Sequence, residues 1–459
     1  MCELLAQQLY LKFAAVRRRA LVAPGLSGSG RLLKTFMKSL PFRLTRAQAK
    51  VLNEVLRDMR EPHPMQRLLQ GDVGSGKTIV AALACLAAVD DGWQAAVMAP
   101  TEILSEQHHR KFSEWFGALG VRIGWLHGGV PKKRRKEILK AQIVIGTHAL
   151  IQEGVEFSRL GLAIVDEQHR FGVRQRLTLR RKADERLPHQ LMMSATPIPR
   201  TLAMTEYADL DVSTIDEMPP GRTPVATRLY SAERRPEVLK RIHDLCTEGQ
   251  QAYWVCPVIE ESKDGDVQTA VDTHETLQRE LAGLRVGLIH GRLSVADKAQ
   301  VMQAFIQGTV QLLVCTTVIE VGVDVPNASL MVIESAERFG LAQLHQLRGR
   351  IGRGTQESTC ILLFAEPLSE NAPRRLKAIF ENSDGFRIAQ LDLELRGQGE
   401  FLGERQSGQP LFRFADLRKD EDLIDAACKA ADQLIETAPE VAHAHVQRWL
   451  GTRQDLTHA

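Results

Sequence analysis

Eight residues, Gly71-Asp72-Val73-Gly74-Ser75-Gly76-Lys77-Thr78, have the make-up of a phosphate cradle. Glycines let successive backbone N–H groups turn inward on an anion, and a helix N-terminus adds its positive end. A lysine at the position of Lys77 reaches the terminal phosphates, and the hydroxyl of Thr78 suits magnesium. A second carboxylate-bearing strand end is then required. Leu162-Ala163-Ile164-Val165-Asp166-Glu167-Gln168-His169 supplies it, with Asp166 as the magnesium-associated carboxylate and Glu167 as the base or orienter of an attacking water. Gln346-Leu347-Arg348-Gly349-Arg350-Ile351-Gly352-Arg353 adds positive charge for the departing γ-phosphate. Arg350 and Arg353 are the candidate fingers, a device worth roughly a thousandfold or more in related phosphoryl transfers. Upstream, Phe42 and Gln48 in Phe42-Arg43-Leu44-Thr45-Arg46-Ala47-Gln48 could meet adenine, since a glutamine amide both accepts and donates. A helix cap at Thr45 accounts for much of the same segment.

These groups must be held at strand ends, and the surrounding pattern provides them. Short apolar runs at 67–70, 95–99, 121–126, 142–146, 162–166 and 191–194 alternate with helix-like segments, and a second series lies at 252–258, 286–290, 310–315, 330–334 and 360–364. Such alternation predicts an α/β chain with two tandem parallel sheets covered by helices. Between the series, Met218-Pro219-Pro220-Gly221-Arg222-Thr223-Pro224 breaks helix and strand alike and marks the hinge. The expected organisation is a helical connector at 1–40, an ATP-binding lobe at 41–217, a second lobe at 225–370, and a helical hairpin with C-terminal helices at 371–459. The glycine-rich Gly397 to Gly408 follows that hairpin.

With 44% hydrophobic and 25% charged residues the 459-residue chain is globular in composition, which excludes disordered and fibrous classes. A net charge of +3 permits a nucleic-acid partner without indicating one. Seven cysteines include no CxxC pair, so neither a disulfide framework nor a zinc site is favoured, and a reducing cytoplasm fits. The longest apolar stretch, Ile79 to Val89, has eleven residues and is too short to cross a bilayer.

With these residues in hand, the chain resembles the superfamily 2 helicases, and within them the RecG family. Ala99-Pro100-Thr101-Glu102-Ile103-Leu104, Gly146-Thr147-His148-Ala149-Leu150, Ser194-Ala195-Thr196-Pro197-Ile198-Pro199-Arg200-Thr201 and Thr316-Thr317-Val318-Ile319-Glu320-Val321-Gly322-Val323-Asp324 look like helicase motifs in the family's order. The resemblance implies RecA-like lobes, ATP with Mg2+, and branched or duplex DNA, with other replication or repair proteins as further partners. It makes Ser194 and Thr196 couplers of hydrolysis to movement, and it brings Gly322 and Asp324 towards ATP from the second lobe. Thr101, Thr147 and Thr317 become candidate DNA phosphate contacts, with ordinary capping as the competing role. Asp384 to Ala389, Asp392 to Gly399 and Gly403 to Gly408 resemble the hairpin and loop that RecG shares with the transcription-repair coupling translocase. Arg405 and Gln406 are the residues there that would pass motion to DNA, and Gln398 stands where the family usually has proline.

The same resemblance sets expectations for the rest. RecG relatives carry an N-terminal wedge domain, for which this chain has no room, so Leu4, Leu5, Leu9 and Phe13 would line a helix that exposes part of its apolar side, and junction unwinding would be weak. The competing functions are a duplex translocase of the transcription-repair coupling type, a non-catalytic DNA-binding remnant, and an RNA helicase. The basic runs Lys132 to Lys136 and Arg180 to Lys182 are either DNA-phosphate contacts or solvated helix faces.

Overall fold

In a computed structural model the protein is described at residues 1–28, 30–168, 171, 179, 186–196, 210–220, 223–257, 265–316, 325–352, 354, 356–396, 414–415 and 420–451. The chain opens with α1 (Cys2–Arg19), α2 (Arg31–Ser39) and α3 (Arg46–Met59). It then runs through β1 (Gln66–Gly71), α4 (Lys77–Asp90), β2 (Gln94–Met98), α5 (Glu102–Phe116), β3 (Ile123–Leu126), α6 (Lys132–Ile138), β4 (Ile143–Gly146), β5 (Leu160–Val165), β6 (His189–Ser194) and β7 (Asp211–Ile215). A second series comprises β8 (Ala226–Ser231), α7 (Arg235–Thr247), β9 (Gln251–Val255), α8 (Gly265–Glu280), β10 (Val286–Ile289), α9 (Val295–Ile306), β11 (Leu312–Cys315), β12 (Ala328–Ile333), α10 (Leu341–Arg348) and β13 (Thr359–Phe364). After it come α11 (Ala372–Glu381), α12 (Gly385–Arg396), α13 (Glu421–Thr437) and α14 (Pro439–Leu450).

The strands form two parallel sheets, ordered β3-β4-β2-β5-β6-β1-β7 and β10-β11-β9-β12-β13-β8. Alternation across the first sheet divides its apolar residues between two cores. Val97, Ile145, Ile164 and Leu191 face one way, with Val80 and Leu83 of α4, while Met98, Val144, Val165 and Met192 face the other. Both faces are covered, which is why these strands read as continuous apolar runs. Helix α4 is buried almost all round, and its alanines are what let it lie so deep.

Two strands escaped the sequence pattern. Asp211-Val212-Ser213-Thr214-Ile215 and Ala226-Thr227-Arg228-Leu229-Tyr230-Ser231 are the terminal strands β7 and β8, each bonded on one side only. Both carry polar side chains and so lack the apolar run by which the other strands are read.

By compactness the chain divides into Met1–Gly71, Ser75–Glu217 and Arg396–Ala459 as one unit, and Asp72–Gly74 with Met218–Leu395 as the other. Within the first unit the expectation that α1 leaves apolar side chains exposed is overturned for Leu4 and Leu9, while Leu5 and Phe13 are half-buried. Leu4 and Leu9 are 1% and 0% exposed, and with Leu5 and Phe13 they pack on Ile424, Ala427 and Ala431 of α13 and on Ala442, Val446 and Leu450 of α14. Polar contacts lock the same face. Glu3 Oε2 accepts from Phe414 N at 2.9 Å and Ala415 N at 3.0 Å, Lys12 pairs with Asp432, and Cys428 Sγ donates to Gln8 Oε1 at 3.1 Å. The apolar face of α1 thus belongs to a helical cluster with the C-terminal segment of its own chain.

The segment after α1 is stitched to the end of α3, the loop that follows it and the end of α4. Ala23 N donates to Pro62 O (2.8 Å), Leu26 N to Met59 O (2.7 Å) and Gly28 N to Asp91 Oδ2 (2.7 Å). His189 Nδ1 accepts from Met65 N at 3.1 Å, which puts the ring proton on Nε2, where it donates to Pro24 O at 2.7 Å.

Candidate ATP site

The phosphate-loop residues lie where β1 ends and α4 begins, at the carboxyl edge of the first sheet, where ligands of open α/β sheets bind. Gly74 and Gly76 have φ of 81° and 92°, in the left-handed region that only glycine enters without strain. A Cβ on Gly76 would also stand 2.2 Å from Gln48 Nε2. Lys77 is buried, and its Nζ donates to Gly71 O at 2.6 Å across the loop. Thr78 is half-buried in the first turn of α4. The Ser75 hydroxyl is buried with no hydrogen-bond partner among the described residues, and Asp72 Oδ1 accepts from Val73 N at 2.6 Å. An orphaned buried hydroxyl in a glycine-rich loop at a helix N-terminus fits a phosphate group.

Gln48 is held in a capping box. Its Oε1 accepts from Thr45 N at 3.0 Å while Thr45 Oγ1 accepts from Gln48 N at 3.2 Å. Its Nε2 donates to Ser75 O at 2.8 Å. In this structure the amide of Gln48 serves both the cap and the loop after β1. Phe42 is exposed.

Sheet order places β6 between β1 and β5, so the carboxylate pair and the Ser-Ala-Thr segment converge on the same edge as the loop after β1. Asp166 is buried, its N donates to Met98 O at 2.9 Å, and its Oδ1 accepts from Glu167 N at 3.0 Å. His108 Nε2 lies 2.8 Å from Asp166 Oδ2. Burial opposes ionisation of this carboxyl, yet His108, the charge of Lys77 and the Glu167 amide together hold it below the usual carboxylate range. Glu167 has φ of 50°, a strained conformation for a non-glycine residue. Its Oε2 is 3.5 Å from Ala195 N, a long contact that points it at the end of β6. There Ser194 Oγ donates to Thr196 O at 2.8 Å.

The candidate DNA threonines that are described both cap helices. Thr101 Oγ1 accepts from Leu104 N at 3.3 Å at the start of α5, and Thr147 accepts from Ala149 N at 3.5 Å. Lys132 to Lys136 occupy α6, which buries none of its residues. Thr317, Gly322, Asp324, Arg353, Arg405, Gln406 and the run Arg180 to Lys182 lie outside the described residues.

In the second unit Arg350 is buried. Its neighbour Arg348, which the sequence reading passed over as a site residue, donates through Nη1 to Ile379 O (2.9 Å) and Asn382 O (2.8 Å) and through Nη2 to Ser383 O (3.1 Å). It thereby ties α10 to the junction of α11 and α12. His108 was missed as well. The one available signal was its place in the apolar ladder Leu104, His108, Phe112, Phe116, where a histidine at a core position requires a polar partner.

Two helix-covered parallel sheets, a glycine-rich loop after β1 and a buried aspartate at the end of β5 define a class, the two-lobed motor ATPases of helicases. Comparison with known proteins narrows it. Residues 45–205 match the DEAD/DEAH box helicase family, 235–355 the helicase conserved C-terminal domain, and 382–450 domain 3, C-terminal, of the ATP-dependent DNA helicase RecG. The RecG helicase of Pasteurella multocida is 52% identical over 99% of this chain and 67% of its own length, and that of Escherichia coli K12 is 51% identical over 100% and 67%. A solved structure of RecG bound to a three-way DNA junction matches with a TM-score of 0.74 and 44% identity, over 92% of this chain and 56% of that one. Yeast Dbp5, 18% identical with a TM-score of 0.59, shares the fold. The chain belongs to the RecG family of ATP-dependent DNA helicases.

Proposed function

We propose that the chain is the motor of a helicase that hydrolyses ATP to drive branch migration and fork regression on branched DNA. The observation that carries the chemistry is the convergence of Lys77, Thr78, Asp166 and Glu167 on one sheet edge. The DNA substrate is supported by kinship with the RecG solved on a three-way junction. Magnesium, entering with ATP, would be held by the Thr78 hydroxyl and Asp166, and it supplies charge neutralisation at the phosphates.

In this reading Lys77 turns from Gly71 O to the β/γ oxygens, and the Ser75 hydroxyl joins the loop amides around the phosphates. Glu167, already turned towards β6, orients the attacking water. Arg350 and Arg353 stabilise charge on the transferring phosphoryl group, with Gly322 and Asp324 near the nucleotide. Ser194 and Thr196, joined by their own hydrogen bond, couple the cycle to DNA held at Thr101, Thr147 and Thr317. A threonine hydroxyl that accepts a capping bond retains its O–H for a phosphate oxygen, so capping and DNA contact are compatible. Arg348, through the carbonyls at the start of α12, favours transmission to the loop bearing Arg405 and Gln406. Arg405→Ala would then keep DNA-dependent ATPase and lose branch migration.

The test is ATP turnover measured without nucleic acid, with RNA, with single-stranded DNA and with a three-way junction, alongside junction unwinding. Greatest stimulation by the junction is expected. Greatest stimulation by RNA, or no turnover under any condition, overturns the proposal.

A further inference from the structure

We infer that His108 is a positioning residue of the ATPase site, setting the orientation of the Asp166 carboxylate from helix α5. The inference rests on the proposed role of Asp166 as the magnesium-associated carboxylate.

The geometry leaves that carboxylate little freedom. Its Oδ1 takes the Glu167 amide at 3.0 Å and its Oδ2 faces His108 Nε2 at 2.8 Å. The Glu167 bond is local and moves with the strand end. The His108 bond is not, because it joins residues 58 positions apart and reaches over from the helix that follows β2. Strand β2 pairs with β5, and Asp166 N extends that pairing to Met98 O, so strand and helix grip the aspartate from two sides.

Helix α5 is itself held firmly. Thr101 caps its first turn, and Trp125 Nε1 of β3 donates to the buried Ser105 Oγ at 3.0 Å. His108 is 5% exposed and meets the Phe112 ring edge-on at 6.2 Å, which limits its own rotation. A buried imidazole with a carboxylate partner and restrained rotation is the arrangement by which outer-shell groups aim metal ligands, and losing one commonly costs roughly 10–100-fold in metal affinity. Because α5 carries Thr101 at its start, a DNA phosphate at that cap would act on the same rigid element as His108.

The experiment compares wild type, His108→Ala, His108→Gln and Asp166→Asn. Binding of a fluorescent ATP analogue is titrated against free Mg2+ and repeated in chelator, and thermal unfolding without nucleotide reports on the fold. Expected for His108→Ala is a rise of about tenfold or more in the Mg2+ needed for half-saturation, with chelator-condition binding retained. His108→Gln, whose Nε2 can reach the same oxygen, should recover much of the shift. A wild-type Mg2+ titration for His108→Ala beside a shifted Asp166→Asn overturns the positioning role alone. Wild-type titrations for both variants overturn the role of Asp166 and, with it, this inference. Should His108→Ala fail to fold, His108→Gln against His108→Asn, which is too short to reach Oδ2, decides by the same titration: equal Mg2+ dependence overturns the role.

Discussion

Gln48 donates its side-chain amide to the carbonyl of Ser75 at 2.8 Å, so the helix ahead of β1 grips the phosphate loop directly. The same amide closes the cap of α3 on Thr45. Gln48→Ala removes both bonds and leaves buried partners unmatched. A stability loss of about 1–2 kcal/mol by urea unfolding is expected, with nucleotide affinity weakened several-fold in a fluorescence titration. Unchanged affinity would show that the loop keeps its shape without this contact.

Lys77→Ala should abolish ATP hydrolysis, a fall of roughly 100–1000-fold or more, while the fold persists. The glycines at 74 and 76 and the deep packing of α4 do not depend on the ammonium group. Circular dichroism and steady-state turnover on one preparation check it, and retained DNA-stimulated turnover would refute the site.

For Arg353→Ala the expected change lies in turnover, down roughly a thousandfold, with ATP affinity little altered. An arginine that acts on charge in the transition state lowers kcat and spares binding. Separate kcat and Kd measurements decide, and weakened binding at unchanged kcat argues against a finger.

Stability should depend on pH through His189. Burial, the dominant cause, lowers its pKa, and its Nδ1 is already committed to the Met65 amide. The unfolded chain takes up a proton as pH falls through about 6.5, whereas the folded protein resists until lower pH. The contribution is therefore fully present above about pH 6.5 and is lost as pH falls through the depressed folded value. His189→Gln can still donate to Pro24 O without titrating, so chemical unfolding from about pH 8 to 5.5 should show a shallower loss than in wild type.

Leu9→Ala opens a cavity in the cluster of α1 with α13 and α14, where Leu9 has no exposed surface. A cost of about 2–5 kcal/mol is expected, concentrated in that cluster. Hydrogen exchange of α13 and α14 should quicken while β1 to β6 keep their protection, and uniform quickening would mean that the cluster is inseparable from the sheet.

The local chemistry of this protein is legible in its sequence. Glycine, lysine and threonine at fixed offsets mark a candidate phosphate loop because backbone conformation and helix-start geometry act over a few residues. Continuous apolar runs announce parallel strands because both faces of such a sheet are buried. Other features could be decided only by tertiary packing. Strands β7 and β8 have polar sequences and are strands by their pairing with β1 and β13, which no local pattern announces. The apolar stripe of α1 was visible, but the surface covering it comes from more than 400 residues further along the chain, as Cys428 and Gln8 illustrate at a separation of 420. That Gln48 also holds the loop after β1 emerges only when the fold brings Ser75 O to its amide. His108 meets Asp166 only because β2 and β5 are neighbours in the sheet, and sheet order follows from packing across the whole lobe, which no short window of sequence contains.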